Sequence, residues 1–284
     1  MSNAIIAYPD RAAATLSSGA WQAAKPRANL QTRLISDTAR TADLALASTQ
    51  WDVDHGSDKM QRVAAVIGHN LTRDARFRRR LSSVSDFSSV ILDTGWQDVW
   101  PQVYDPLTLD FEDPRWGDGR YSDEDLAGYT WTLPQILAGI EIPRYERWEF
   151  DDQLNPAGYL DFGRLYIAEQ WQASINLSYG HELVLRSNSS MSYTPGGVKW
   201  PKRRPAQRTA MISFDWLSVD EGLGRAFETM RRADIVDDVF YVYDPDDTLH
   251  MIRRAFLGTL KKLSPVRMPY LNTHSVAFEI EESI

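Results

Sequence analysis

Apolar residues in the first half of the chain fall in short runs rather than in helical periods. Val63-Ala64-Ala65-Val66-Ile67 is an apolar run of strand length, closed by Gly68-His69-Asn70. Phe77 and Leu81 flank Arg78-Arg79-Arg80, and Val90-Ile91-Leu92 follows a serine-rich stretch. Runs this short, divided by Gly, Asn, Asp and Ser, predict the strands of an all-β sandwich or barrel. Tyr145, Trp148 and Phe150 continue the pattern, followed by a turn over 151–158 and by strands at 159–162 and 165–167. Residues 36–46, rich in Ala and Leu, suit a helix or a loop, and 132–137 reads as a short helix.

A second unit is expected from near Ser174, with strands at 174–179, Glu182–Arg186 and 209–216. The basic loop between the last two holds Pro195-Gly196-Gly197, Lys199, Lys202, Arg203, Arg204 and Arg208. One helix has an explicit start signal. Ser218 and Glu221 have the spacing of a capping box, and Leu223, Phe227 and Met230 then recur at helical spacing, predicting a helix near 219–233. Strands follow at 239–243, 251–260 and 275–280, with Asp244-Pro245-Asp246-Asp247 as a turn. The expected organisation is thus mainly β: a sandwich over 1–172, then a smaller β-rich domain with one helix over 173–284.

Composition narrows the chemistry. The 284 residues include no Cys, so disulfides, Cys-ligated metals and thiol nucleophiles are excluded. No apolar run approaches the roughly 20 residues of a membrane-spanning helix, and the N-terminus lacks the basic and long apolar regions of a secretory signal. Synthesis in a cytoplasm is therefore expected. The net charge of −8 argues against general nucleic-acid binding. Acids concentrate in 103–128, where eight face only Arg115 and Arg120 amid Pro and Gly, the pattern of a long surface loop inserted in the sandwich. Bases concentrate in Arg73, Arg76, Arg78, Arg79 and Arg80, and again in 199–208.

No catalytic motif emerges. The five histidines lack metal-ligand spacing, and nucleotide loops and a G-x-S-x-G elbow are absent. Pairs of carboxylates arise by chance among 39 acids, and Asp244–Asp247 lacks the EF-hand pattern. No catalytic residue, metal or cofactor is therefore expected. His69 and Asn70 sit where a strand-end turn can expose polar groups. Trp96, Trp100, Trp116 and Trp131 suit a core, sugar stacking or a protein interface.

Several of these segments occur in a familiar order. Val63 through Thr72, then Ala75-Arg76-Phe77-Arg78, then Asp93-Thr94-Gly95-Trp96, then Asn155-Pro156-Ala157-Gly158-Tyr159 with Gly163-Arg164-Leu165, resemble a pattern in tail proteins of long-tailed bacteriophages and prophages. The resemblance runs over about residues 4–260. It implies a tail-tip or baseplate protein whose first domain is a galactose-binding-like (discoidin-type) β-sandwich and whose second is related to distal tail ring proteins, in the reverse of their usual order.

It also implies a homo-oligomeric ring in the virion, joining tail tube to hub or fibre proteins. Asp113, Asp118 and Asp123 on one face and Lys202, Arg203 and Arg204 on the other are the expected assembly contacts. The alternative expectation is a carbohydrate-binding adhesin, with His69, Asn70 and Trp96 as glycan or partner contacts. A polysaccharide hydrolase is a third, without a motif to support it.

Overall fold

A computed structural model describes residues 2–284. The chain divides into two compact units. One is residues 10–170; the other combines residues 2–9 with Trp171–Ile284. The structure is mainly β and its sheets are antiparallel.

The unit over 10–170 is a sandwich. One sheet runs Thr15–Ser17, Gln50–Asp54, Tyr145–Asp151, Arg76–Ser82, Val90–Asp93, with Gln97–Asp98 also beside Arg76–Ser82. The other contains Arg164–Gln172, Gln61–Ile67 and Thr132–Glu141. A third, small pair joins Ala39–Arg40 to Asp161–Phe162. Period-two alternation decides which side chains enter the core. In Tyr145–Asp151, Glu146, Trp148 and Phe150 are buried while the residues between them are not.

Trp51 pairs with Trp148 across the strands, and their rings lie 6.1 Å apart at 23°. Phe150 stacks on Trp51 at 4.9 Å, and Phe162 closes the cluster edge-on at 5.1 Å. Each fully buried ring of this kind contributes roughly 1.5–3 kcal/mol by leaving water.

One expectation fails within this unit, for a physical reason, and the choice between helix and loop at 36–46 falls to the loop. Residues 132–137 are not a helix but the start of the strand Thr132–Glu141. Leu133, Gln135 and Leu137 point inward at period two, and the segment pairs residue by residue with Gln61–Ile67. Residues 36–46 form turns around the short strand Ala39–Arg40.

In the other unit a sheet runs Glu182–Arg186, Gln207–Leu217, Thr273–Glu282, Ala255–Leu260, Asp238–Val242, Ile5–Asp10, with Arg267–Tyr270 beside Thr273–Glu282. Ile5 and Ile6 face Val242 and Tyr241. The residues before the sandwich thus supply a strand to a sheet completed more than 200 residues later. The sandwich lies within this unit's sequence rather than ahead of it.

The capping box forms as expected. The Ser218 hydroxyl accepts from the Glu221 amide at 3.3 Å, and the Glu221 carboxylate accepts from the Ser218 amide at 3.1 Å. The helix opens with π-type turns over Asp220–Phe227 and continues as α-helix over Glu228–Ala233. Ala226, Met230 and Ala233 enter a core with Trp171, Phe214, Phe256 and Phe278. Gly222 is required by proximity, since a Cβ there would stand 2.6 Å from the Cβ of His274.

Residues 174–179 are not a strand. Side chains hold the first half of the segment, where Glu221 accepts the Ser174 amide at 2.7 Å and Asn176 accepts the Ala4 amide at 3.0 Å, and a single backbone bond, from the Ser178 amide to the Ser213 carbonyl at 2.8 Å, ties it to the strand Gln207–Leu217. Residues 251–260 divide into a helical turn, Met251–Arg254, and the strand Ala255–Leu260.

Candidate functional site

The strand-end turn that suggested ligand contacts is occupied with holding the sandwich together. His69 is 6% exposed. Its Nδ1 accepts from the Leu71 amide at 3.3 Å, and its ring sits 5.7 Å from Trp100 and 6.1 Å from Trp131. Burial pushes the imidazole pKa down to about 3, so the ring is neutral.

Asn70 is a cross-link. Its amide nitrogen donates to the Tyr159 carbonyl at 3.1 Å, and its amide oxygen accepts from the Asp161 amide at 2.8 Å. Asn155 answers from the other side, donating to the Asn70 carbonyl at 3.0 Å and to Asp152 at 2.9 Å. Asp152 in turn accepts from the Thr72 amide at 2.9 Å. The His-Asn-Leu-Thr and Asn-Pro-Ala-Gly-Tyr motifs are therefore the two halves of one latch. His69 is buried, and Asn70, half-buried, has both its amide nitrogen and its amide oxygen engaged within the chain.

Trp96, by contrast, is exposed. Asp93 accepts the Gly95 amide at 2.9 Å, the Thr94 hydroxyl accepts the Arg79 amide at 2.9 Å, and Gly95 takes a left-handed φ of 63°. This turn leaves the Trp96 indole 40% exposed, with the Arg76 guanidinium carbon 5.9 Å from the ring centre. Trp100 is buried, Trp131 is half-buried, and Trp116 is exposed and packs edge-on against Phe111.

The first basic run is neutralised within the chain. Arg73 pairs with Asp118 at 2.9 Å, Arg76 with Asp151 at 2.6 Å, Arg80 with Glu149 at 3.0 Å, and Arg78 with Asp93. Arg79 alone turns inward. It donates to Glu146 at 2.9 Å and to Gln61 at 2.7 Å and Gln135 at 3.2 Å, the last two from the facing sheet. The Trp148 indole also donates to Glu146. Burial raises the cost of charging Glu146, but Arg79, helped by the His55 ring 3.6 Å away, more than compensates and holds the carboxyl at about 2. This is a structural ion pair with no opening for a substrate.

Two expected assembly contacts in the acidic loop are likewise committed within the chain: Asp118 to Arg73, and Asp113 to Arg115 at 2.7 Å. Asp123 opens the helical turn Asp123–Leu126 and is exposed, as are Asp110, Glu112 and Glu124. Among the described residues none of these four has an ion-pair partner.

The second basic run folds differently from a loop. Ser190–Tyr193 pairs with Lys199–Lys202 to make a two-stranded hairpin that pairs with no other strand among the described residues. Its tip turns at Thr194-Pro195-Gly196-Gly197, where Gly197 has φ 80° and its amide reaches the Thr194 carbonyl at 2.8 Å. Met191, Tyr193, Val198 and Trp200 are all exposed, Trp200 at 68%. Lys199, Lys202, Arg203 and Arg204 have no ion-pair partner among the described residues. Arg208 does not belong with them: it is buried and forks onto Glu282.

Among the described residues no group of three or more His, Asp and Glu is placed to hold a metal ion, and no helix is long and apolar enough to cross a membrane. No family model and no curated protein matches the chain. Solved structures similar to it include a Clostridium perfringens module named CpGH89CBM32-6 (11% identity, TM-score 0.35, 57% of this chain and 99% of the module). A fucose-binding module of Streptococcus pneumoniae is similar at 9% identity and TM-score 0.37, over 57% of this chain and 95% of the module. The lectin domain of lectinolysin, solved with Lewis b antigen, is similar at 11% identity and TM-score 0.36, over 56% and 94%. At these scores the likeness carries no argument about what the chain binds.

Proposed function

We propose that the chain is a non-enzymatic structural subunit of the tail tip of a long-tailed bacteriophage, built as a homo-oligomeric ring that joins the tail tube to hub or fibre proteins. The observation that carries this reading is the free hairpin over 190–202. A two-stranded ribbon paired only to itself is marginal in water, and this one leaves Met191, Tyr193, Val198 and Trp200 without cover from their own chain. Side chains of this kind are what a protein interface buries. The order of motifs that resembles tail proteins points the same way, and two of those motifs have a structural reason in the latch between 70–72 and 152–161. Light scattering on the purified protein should return the mass of a closed oligomer, and mass spectrometry should find the chain in purified virions. A monomer at all concentrations, absent from particles, would sink the reading.

A second reading, compatible with the first, is favoured by Trp96. An indole held out on a rigid turn beside Arg76 combines a stacking face with a hydrogen-bond donor, which is what a sugar ring needs. On a glycan array the wild-type protein should bind one class of host-surface carbohydrate, and Trp96→Ala should weaken that signal at least tenfold. Equal signals from both proteins, or none from either, would remove Trp96 from consideration.

A further inference from the structure

We infer that the free hairpin of one copy docks on the acidic loop of the next copy, so that the ring contact joins two different faces of the same chain. The inference rests on the self-assembly reading above and gives it a specific geometry.

Charge is the first argument. Residues 187–206 carry Lys199, Lys202, Arg203 and Arg204 and no acid, so taking these four from a net −8 leaves −12 on the rest of the chain. The hairpin is a positive projection from a negative molecule, and another copy of that molecule is a complementary surface. The first basic run does not compete, because its arginines are paired within the chain.

The location of uncovered acid is the second. Asp110, Glu112, Asp123 and Glu124 are exposed and without cation partners among the described residues, whereas Asp113 and Asp118 are neutralised by Arg115 and Arg73.

Apolar surface is the third. The same loop exposes Leu107 at 94% and Phe111 at 79%, with Trp116 against Phe111. The hairpin brings Tyr193, Val198 and Trp200. Both faces therefore carry large uncovered rings, framed by charges of opposite sign. A contact between two unlike faces is heterologous, and such contacts generate rings when the rotation closes.

Charge exchange tests this directly. One full-length variant carries Lys202→Glu, Arg203→Glu and Arg204→Glu; the other carries Asp110→Lys, Glu112→Lys and Glu124→Lys. Each should fold, with wild-type circular dichroism, and each alone should elute as monomer. An equimolar mixture should regain the wild-type mass, because each reversed face then meets its opposite on the other variant. Raising salt to about 1 M, where the Debye length falls to about 3 Å, should dissociate wild type and mixture alike.

If wild type is oligomeric and both variants remain so, the hairpin–loop contact is wrong while self-assembly stands. If wild type is itself monomeric, the assembly reading falls with it. A labelled 20-nucleotide single strand is the control for a polyanion. Binding that is lost in the hairpin variant, with oligomer mass unchanged, would assign the hairpin to nucleic acid and overturn the inference.

Discussion

Replacing Arg79 by Met should remove about 3–5 kcal/mol from the stability of the sandwich, the range found when one partner of a buried pair is deleted. Arg79 and Glu146 are both fully buried. The substitution leaves the buried carboxylate with the Trp148 indole and the His55 ring but no guanidinium, while Gln61 and Gln135 lose the donor that ties the two sheets. The double variant Arg79→Met/Glu146→Gln should be less damaged than Arg79→Met alone, since no unpaired charge remains.

Urea denaturation of the three proteins measures this, and strictly additive losses would show that the two groups do not act as a pair. The pH dependence has a definite sign. The folded carboxyl is held near 2, below its unfolded value of about 4.3. Its contribution is therefore complete above about pH 4.3 and fades as pH falls toward 2.

A second large effect is expected from His69 in mild acid. In the folded chain the imidazole titrates at about 3, whereas an unfolded histidine takes its proton near 6.5. Between these values the unfolded state binds one proton more, so stability drops as pH falls, by about 1.4 kcal/mol per unit. From pH 6.5 to 4.5 this single group should remove about 2.3 kcal/mol, the slope being half-developed at the upper end, where the unfolded ring is half protonated. His69→Asn, whose amide oxygen can accept the Leu71 amide in place of Nδ1, should be less stable at neutral pH but should lose that slope. Urea midpoints at half-unit steps from pH 7.5 to 4.5 give the comparison. Parallel curves for the two proteins would mean that His69 is hydrated or charged in the fold.

How much of this was legible in the sequence depended on whether the signal was local. The strand Gln61–Ile67 and the Ser218–Glu221 cap announce themselves within a few residues. Residues 132–137 did not, because Pro134 and a mixed run hid a period of two that only the partner strand reveals. Ile5–Asp10 is short and apolar, and its partner Asp238–Val242 lies too far along the chain for any local pattern to link them.

The site divides the same way. Within Arg78-Arg79-Arg80 the sequence presents three equal charges. Only the frame set by Phe77 and Leu81, both inward, separates Arg79 from its neighbours. That frame was present in the sequence, and the arginine run concealed it. His69 and Asn70 stand out in the sequence, but the groups that engage Asn70 come from residues 155–161 and the rings beside His69 are those of Trp100 and Trp131, all far along the chain. The basic stretch at 199–208 is visible as charge; that Lys199–Lys202 forms one arm of a hairpin, while Arg208 retreats to Glu282, is a matter of sheet register.

The stacked indoles of Trp51 and Trp148 lead somewhere else. Two tryptophans this close couple their excited states, and buried ones emit at shorter wavelength than wet ones. Trp171, Trp200 and Trp216 belong to the other unit. The sandwich therefore carries its own optical signature: an exciton band in the far ultraviolet should report its melting separately, with no label attached.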